Sequence, residues 1–415
     1  MSEHEIFIAG VGMTALGKRP DASVKQLTAE AVLEALADAG AEVRQIEAAW
    51  FANTRQPILE GQNTIRGQAA LRPLGIAGVP IVNVENACAS GSSAVMLAAT
   101  HLRAGDGDIA LVVGAEKMVF ADRPERVAAA FLGGTDIYDL ENTKAFVRAL
   151  GGDVDDKSTG ERSIFMDLYA ALAQAHMRRF GTTQSDVAML ASKNHIASQF
   201  NPKAQYRTPM SVDQVLADKP ITFPFTRAMC APISDGAAAA ILCTARGLER
   251  LSGRKSRAVR LRASVLRSGS DHDPEDLEQR AGRLTALQAY AKAGIEPADI
   301  HLAEVHDASS FGELLQIENL GLAPFGGVPA RLAQGAFALG GATPVNPSGG
   351  LVCKGHPVGA TGIAQLYELC LQLRGEAEAR QVEGARIAVA ENGGGFLRGE
   401  EAACVVTVLE APSRS

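Results

Sequence analysis

The chain has only six cysteines among its 415 residues, and no two of them lie close together in the sequence. Their dispersal through apolar or loop segments excludes a disulfide scaffold and is typical of a reducing compartment. One Cys-x-x-His spacing occurs, at Cys353 and His356, but no second pair of ligands completes a zinc site. We therefore expect no bound metal.

The sequence also lacks an apolar run as long as a membrane span, and it has no excess of basic residues. A net charge of −7 and a pI near 5.7 give no electrostatic footprint for nucleic acid. The acidic stretch Met1–Glu5 has no basic region of the signal-peptide kind, and Pro412–Ser415 is not a peroxisomal address. These absences favour a cytoplasmic protein with no membrane span and no nucleic-acid partner.

One pattern occurs twice in the chain. Residues 39–46 and 293–300 share Ala-Gly-x-Glu-x-x-x-Ile, and each copy follows a helical stretch. Each copy also precedes a short apolar strand, predicted at Ala48–Phe51 and at Leu302–Val305. The repeated order predicts an internal duplication into two α/β halves with one site between them.

We place the two halves at residues 1–255 and 256–415, since a chain of this length is too long for one small core. Residues from about 119 to 222 have no counterpart in the second half and contain a predicted helix at 164–180. This segment is interpreted as an insertion in the first half. Such an insertion can form a dimer contact or be a solvated addition to the domain.

Cys88 follows a β-favouring stretch and stands just before a helix-forming one. Val79–Val84 leads through Asn86-Ala87 to the thiol, and small residues continue into a predicted helix at Ala94–Arg103. A thiol at such a turn faces unpaired N–H groups and the positive end of the helix dipole, which favour the thiolate. Cys88 is therefore a candidate nucleophile, although a lone cysteine can also pack as a small apolar residue.

His356 lies in the run Gly355-His356-Pro357-Val358-Gly359-Ala360-Thr361-Gly362. Glycine and proline hold the loop rigidly and leave little space around its backbone, a setting that a core histidine does not need. Because an imidazole titrates near neutrality, it can take the thiol proton and later return one. His356 is the candidate general base for Cys88.

A third stretch, His306-Asp307-Ala308-Ser309, distinguishes between two types within one protein superfamily. Asn-Ala-Cys-Ala-Ser-Gly around Cys88 and Gly-His-Pro-Val-Gly-Ala-Thr-Gly around His356 resemble the nucleophile and base motifs of the thiolase superfamily. Ordinary thiolases carry Asn-Glu-Ala-Phe at the third stretch, whereas the sterol-carrier-protein type carries His-Asp-Cys-Phe. The chain is thus similar to that type and to its bacterial lipid-transfer-protein-like branch, from about Glu5 to Leu409.

The resemblance implies the α/β thiolase fold, with two duplicated βαβαβαββ halves in a five-layered αβαβα arrangement and an inserted loop domain. It implies an acyltransferase of the acetyl-CoA C-acyltransferase class that acts on 3-oxoacyl-CoA through a cysteine acyl-enzyme. Cys88 would be acylated, His356 would activate it, and His306 would help to stabilise the thioester oxygen. The N–H groups of Cys88 and Gly393 would form an oxyanion hole.

Two positions depart from the family pattern. Glu391 stands where thiolases usually carry a second catalytic cysteine, and Ala308 replaces the cysteine of His-Asp-Cys-Phe. Glu391 could carry the second proton if burial raised its pKa. Alternatively, the reaction needs no second thiol, as in non-thiolytic acyl transfer or a C–C condensation, or Glu391 only orders the glycine turn.

Coenzyme A is expected as a co-substrate rather than as a permanently bound cofactor, and no Walker-type motif is needed to hold it. The insertion and the loop at 230–236 are the expected binding segments. The candidate contacts are Lys193, Ala231, Pro232 and Ser234, with Arg162, Arg178, Arg179 and Lys203 as further sources of positive charge.

The resemblance further implies a homodimer or tetramer, and some members of this branch work with a small OB-fold-containing partner protein. A retro-aldolase of the branch is disfavoured by the presence of Cys88, because such enzymes do without the acylated cysteine. A catalytically silent lipid-binding or scaffold subunit is the interpretation from another class. The presence of Cys88, His306 and His356 together argues against it.

Overall fold

The computed structural model describes residues 5–152, 154, 163–253, 255–273 and 275–412. The α-helices are α1 (Val24–Ala39), α2 (Gln56–Glu60), α3 (Arg66–Leu71), α4 (Ser90–Ala104), α5 (Pro124–Leu132), α6 (Leu140–Ala149), α7 (Ile164–Phe180), α8 (Gln184–Ser198), α9 (Val212–Leu216), α10 (Ala245–Arg250), α11 (Ala281–Ala293), α12 (Ser310–Asn319), α13 (Val328–Ala333), α14 (Gly350–Lys354) and α15 (Thr361–Arg374). The strands are β1 (Ile6–Met13), β2 (Ala48–Ala52), β3 (Ile81–Val84), β4 (Ile109–Glu116), β5 (Pro220–Thr222), β6 (Phe225–Thr226), β7 (Gly236–Thr244), β8 (Val259–Arg267), β9 (Leu302–Glu304), β10 (Ile387–Leu397) and β11 (Glu400–Glu410).

Among the described residues, the main sheet has nine strands in the order β3-β2-β4-β7-β1-β8-β11-β10-β9. Its two halves meet where the first residues of β1 pair antiparallel with β8, from Ile6 opposite Leu261 to Ile8 opposite Val259. The strand order β2-β4-β7-β1 in the first half is mirrored by β9-β10-β11-β8 in the second. Beside β9, Val345 forms a parallel bridge with Ala303, in the place that β3 occupies beside β2. The predicted duplication is confirmed.

The three largest hydrophobic cores hold five layers together, because the central core contacts a layer of helices on both sides of that layer. One core lies between the first half-sheet and α1 with α3, and another lies between the second half-sheet and α7, α8, α11 and α12. The central core joins both half-sheets to α4 and α15. Neighbouring residues of one strand enter different cores, as Phe51 and Trp50 of β2 do, because side chains alternate across a sheet. The predicted five-layered α/β fold is confirmed.

The helix and strand predictions hold closely. α1 begins after Ser23, which forms a capping box with Gln26, and it ends at Gly40 in the left-handed conformation. α4 begins at Ser90, earlier than the predicted start at Ala94. The predicted boundary at 255–256 falls between α10 and β8.

The segment from 119 to 222 contributes α5 to α9 and lies against the second half-sheet through α7 and α8. No described helix combines the length and the apolar character that crossing a membrane requires.

Asp235 fixes the chain just before β7. Its buried carboxylate accepts hydrogen bonds from the backbone N–H groups of Arg19 (3.0 Å), Met118 (2.7 Å) and Val119 (2.8 Å). The ammonium group of Lys117, which is also buried, lies 2.8 Å from the same carboxylate. This interaction holds the loop that precedes Asp235 in place.

We predict that Asp235→Ala lowers the free energy of unfolding by about 3–5 kcal/mol, because it leaves the buried Lys117 ammonium without its carboxylate. Urea unfolding measures the change. Asp122→Ala is the matched control, since Asp122 is largely exposed and pairs with the neighbouring Arg123. Equal stability of the two variants would contradict the prediction.

Candidate active site

Cys88, His306 and His356 all line one cavity of about 680 Å³. β10 and the loops that precede α12 and α15 bound one side of it, and the insertion covers the other. Most of its wall is apolar, and its larger apolar side chains are Met118, Phe120, Phe131, Leu132, Ile164, Phe165, Met166, Ile233 and Phe396. The cavity therefore suits an apolar ligand group.

Cys88 sits on a sharp turn between β3 and α4. Ala87 has a φ of 47°, in the left-handed region that an L-residue seldom occupies, and the Ala89 N–H donates to Asn86 O (3.0 Å). Ser90 fixes the turn by accepting from the Asn86 N–H (2.8 Å) and donating to Ala87 O (2.6 Å). The turn holds the thiol at the start of α4, in the cavity wall.

The setting of Cys88 disfavours the ionised form of its thiol. Burial raises the pKa of Cys88 to about 11, and the Arg55 guanidinium and the Gly395 N–H oppose that rise. Backbone N–H groups at the turn lower the pKa of Cys88, as expected of a helix start, but desolvation outweighs their effect. Attack by Cys88 requires a base that removes the proton at that moment.

His356 has the geometry of such a base. Gly355, with a φ of 118°, brings the chain so close to Ser234 that a Cβ would lie 2.8 Å from its hydroxyl. That hydroxyl accepts from the His356 N–H (2.9 Å), which fixes the backbone of the residue. Burial, then the neighbouring His306, lowers the pKa of His356 well below its usual value, so the imidazole is neutral.

Thr361 determines which ring nitrogen of His356 is free. Its hydroxyl donates to Pro357 O (3.2 Å), and it lies 2.7 Å from His356 Nδ1. With the hydroxyl proton donated to Pro357 O, the Thr361 oxygen can accept at the 2.7 Å contact, and we assign the proton of the neutral imidazole to Nδ1 on this ground. Nε2 then keeps its lone pair for a proton from the cavity.

His306 lies against His356, with ring centroids 5.2 Å apart and planes inclined by 70°. The sulfur of Cys88, one ring nitrogen of His306 and one ring nitrogen of His356 lie within 4.8 Å of one another. Burial lowers the pKa of His306 to about 4, and neither ring nitrogen has a hydrogen-bond partner among the described residues. A neutral imidazole here can donate to a substrate oxygen.

Asp307 ties the His306 loop to the His356 loop. Its buried carboxylate accepts from the N–H of Leu351 (2.6 Å), in α14, and from Asn194 Nδ2 (3.0 Å), in α8. A Cβ on Gly350 would lie 2.2 Å from this carboxylate, so only glycine fits there. Burial and the nearby Glu313 raise the pKa of Asp307.

The glycines at the end of β10 pack directly on the Cys88 turn. A Cβ on Gly394 would lie 2.3 Å from Asn86 O, so the strand can come this close only without a side chain. Gly393, Gly394 and Gly395 all line the cavity. The oxyanion role of the Cys88 and Gly393 N–H groups stays a prediction.

Glu391 is buried but does not line the cavity. Its Oε2 accepts from the His306 N–H (3.0 Å), and its Oε1 lies 3.5 Å from Cys404 Sγ. Burial, then the nearby Glu401, raises its pKa well above the ordinary value. The carboxyl therefore stands behind His306, and its role as proton carrier stays a prediction.

Two of the four expected coenzyme A contacts line the cavity, and the other two do not. Ala231 and Pro232 line the cavity, whereas Ser234 is turned toward His356 and Gln205 (2.6 Å). Lys193 does not line it, because its ammonium pairs with the buried Glu313 (2.5 Å).

None of the expected basic side chains that the structure describes lines the cavity. Lys203 pairs with Glu34 (2.5 Å), Arg179 with Glu275 (3.4 Å), and Arg178 donates to Leu150 O (2.6 Å). Arg162 lies outside the described residues. Position in the chain suggested these basic side chains, but internal carboxylates and carbonyls hold the described ones elsewhere.

Sequence reasoning missed three charged residues on the cavity wall, Lys18, Arg55 and Glu401. Arg55 is buried and donates to Ala130 O, with its guanidinium 5.5 Å from the Phe131 ring centroid. Glu401 accepts from Gln316 Nε2 (2.6 Å). Glu401 could have been found from Leu397-Arg398-Gly399-Glu400, a hairpin turn that folds the next strand back along Gly393–Gly395.

Comparison with known proteins gives two matches to family models. Residues 6–225 match the model described as "Thiolase, N-terminal domain", and residues 263–408 match "Thiolase C-terminal domain-like". Together these models cover most of the chain.

Three relatives resemble the chain over nearly its whole length. It is 35% identical over 395 residues to an acetyl-CoA acetyltransferase of Methanothermobacter thermautotrophicus, covering 94% of this chain and 96% of that protein. It is 34% identical over 396 residues to sterol carrier protein 2 of Oryctolagus cuniculus, covering 93% and 69%. It is 32% identical over 402 residues to the benzoylsuccinyl-CoA thiolase subunit BbsB of Thauera aromatica, covering 95% and 96%.

A solved structure shares the fold. It is the structure of an "Ltp2-ChsH2(DUF35) aldolase", with a TM-score of 0.79, 22% identity and complete coverage of both chains. At this identity the match concerns the fold alone.

The geometry around His356 predicts that Thr361 is a positioning residue. Thr361→Val should slow alkylation of Cys88 by iodoacetamide, because the imidazole proton can then move to Nε2 and block the base. The loss should be smaller than the roughly 100-fold or greater loss expected when a general base is removed. Thr361→Ser keeps the hydroxyl and should restore the rate; equal rates for Val and Ser variants would contradict the tautomer assignment.

Proposed function

The chain belongs to the thiolase family and to its sterol-carrier-protein type, and from that premise we propose that it transfers acyl groups between 3-oxoacyl-CoA and coenzyme A. The family and the acetyltransferase and thiolase relatives make it an acyltransferase. The observation that carries the proposal is the convergence of Cys88, His306 and His356 on one apolar cavity.

In the proposed reaction, Cys88 attacks the 3-oxo carbonyl while its proton passes to His356 Nε2. The C2–C3 bond then breaks, the acyl group stays on the sulfur, and acetyl-CoA leaves once C2 has gained a proton. Coenzyme A attacks the acyl-enzyme, and Cys88 regains its proton from His356. Both groups begin neutral, which explains why the thiol needs its base during attack.

His306 and the backbone supply the proposed oxyanion donors. The ring of His306 is buried beside His356 and has nitrogens without a described partner, so it can donate to the thioester oxygen. The N–H groups of Cys88 and Gly393 would bind the oxygen formed on the cysteine side, since Gly393 also lines the cavity. One such donor typically contributes about 3–4 kcal/mol.

The cavity wall favours a bulky apolar acyl group over acetyl alone. Phe120, Phe131, Phe165 and Phe396 line the same cavity as Cys88. Coenzyme A would enter beside Ala231 and Pro232 as a co-substrate. Arg55 and Lys18 are the arginine and the lysine that line the described part of this cavity. We further propose a cytoplasmic homodimer or tetramer that acts in lipid metabolism.

The second candidate function is non-thiolytic acyl transfer or a C–C condensation in a complex with a small partner. Glu391 and Ala308 stand where the family carries thiols, and this favours a reaction that uses no second cysteine. The Ltp2-ChsH2(DUF35) aldolase, by its name, joins a protein of this fold to a DUF35 partner, and BbsB is named as a subunit. A silent lipid-binding or scaffold subunit is the third candidate, and the intact set of Cys88, His306 and His356 disfavours it.

Intact-mass analysis after incubation with a panel of acyl-CoA and 3-oxoacyl-CoA thioesters tests the proposal. We expect one acyl group on Cys88, and none on the Cys88→Ala variant. Cys230→Ala is the matched control, because Cys230 also lines the cavity but burial raises its pKa to about 12. Acylation at Cys230 or Cys353, or none at all, would overturn the proposal.

The two histidines should separate in kinetics. His356→Ala should slow alkylation of Cys88 by about 100-fold or more at neutral pH and move the pH–rate profile upward, because the thiolate then forms only near the thiol's own pKa. His306→Ala should lower thioester turnover far more than alkylation, since its proposed task is to stabilise an oxyanion. Equal effects on alkylation would refute this division.

A further inference from the structure

The carboxyl group of Glu401 is in the cavity wall, and the mechanism so far gives it no task. Glu401 lies on β11, opposite Phe396 of β10, and the residue is only 7% exposed. A Cβ on Gly393 would lie 2.4 Å from Glu401 Oε1, so the carboxyl packs directly over the glycine proposed as an oxyanion donor. A proton carrier at this place lies beside the proposed oxyanion donor Gly393 and on the wall of the cavity that Cys88 lines.

Glu401 has a second carboxyl behind it. One carboxyl oxygen of Glu391, one of Glu401 and the sulfur of Cys404 lie within 4.8 Å of one another, and all three residues are buried. Two buried carboxylates this close do not both ionise readily, so the pair retains a proton near neutral pH. Glu401 faces the cavity, whereas Glu391 faces the backbone of His306.

From this geometry we infer that Glu401 exchanges the proton at the α-carbon of the substrate, with Glu391 as the carboxyl that shares the proton behind it. The inference rests on the proposed thiolase reaction and names the carrier that this reaction requires in place of the missing cysteines. It also changes the expected role of Glu391: instead of carrying a proton at the substrate, Glu391 becomes a positioning residue behind Glu401.

In cleavage, the electron pair of the C2–C3 bond goes to C2, which takes the proton from the Glu401 carboxyl and leaves a carboxylate. That carboxylate then accepts the proton of the incoming coenzyme A thiol. In synthesis, the Glu401 carboxylate takes a proton from C2 of acetyl-CoA, and the resulting carbanion attacks the acyl group on Cys88. The sulfur leaves as thiolate and regains its proton from His356.

The pH dependence follows from the groups that face Glu401. Burial, then the neighbouring Glu400, raises the pKa of Glu401 to about 8, and Gln316 of α12 and Arg280 oppose the rise. Glu391 of β10, Cys404 of β11 and Tyr169 of α7 are the other titratable groups nearby. Proton abstraction needs the ionised carboxyl, so its rate should increase as the pH rises through about 8.

The test is exchange of the acetyl protons of acetyl-CoA in D₂O, followed by NMR, with acylation of Cys88 measured by intact mass on the same samples. Glu401→Gln should keep acylation and lose exchange by about 100-fold or more, because the amide cannot carry the proton. Glu401→Asp should restore part of the exchange, and Glu391→Gln should reduce it less than Glu401→Gln does.

Glu400→Gln is the matched control on the same strand, because Glu400 does not line the cavity. It should keep exchange and move the rising part of the pH profile to lower pH, since a charge that raises the pKa of Glu401 is gone. Normal acylation with unchanged exchange in Glu401→Gln overturns the inference alone. A wild type that is acylated but never exchanges overturns both the inference and the thiolytic reaction, and favours the non-thiolytic acyl transfer named as the second candidate function. Absence of acylation in the wild type overturns the proposed function itself.

Discussion

The buried Asp307 carboxylate is the contact on which the site depends, because it joins three separate parts of the chain. It follows His306 directly, accepts from α14 just before His356, and accepts from Asn194 of α8. Lys193 and Glu313 complete this buried network with an ion pair. A buried network of this kind is stable only when its members are satisfied together, so the two histidines are held in one fixed relation.

Close backbone packing provides the second constraint. Gly355 allows the His356 loop to meet Ser234, and Gly394 allows β10 to meet the Cys88 turn. Each glycine brings two segments of the chain together at a distance that no side chain would permit. The glycine-rich runs therefore determine how the thiol, the imidazoles and the backbone donors share one cavity.

Desolvation then decides the protonation states. Burial makes Cys88 a weak acid and both histidines weak bases, as their shifted pKa values indicate, so the resting site contains neutral groups. The same burial raises the pKa of Glu391 and Glu401, which leaves a proton available near the cavity at neutral pH. A site that lacks the usual second thiol can in this way still contain a second acid.

The sequence alone predicted the duplicated fold, helices such as Val24–Ala39 and Ile164–Phe180, and the meeting of Cys88 with His306 and His356. These features depend on local periodicity and on motifs, which a linear sequence contains. The tertiary structure alone decided that Lys193 forms an ion pair with Glu313, away from the cavity, and that Glu401, rather than Glu391, faces the cavity. Partner choice and burial arise when distant segments pack, and no spacing along the chain specifies which carboxylate a lysine meets or which side of a strand loses its water.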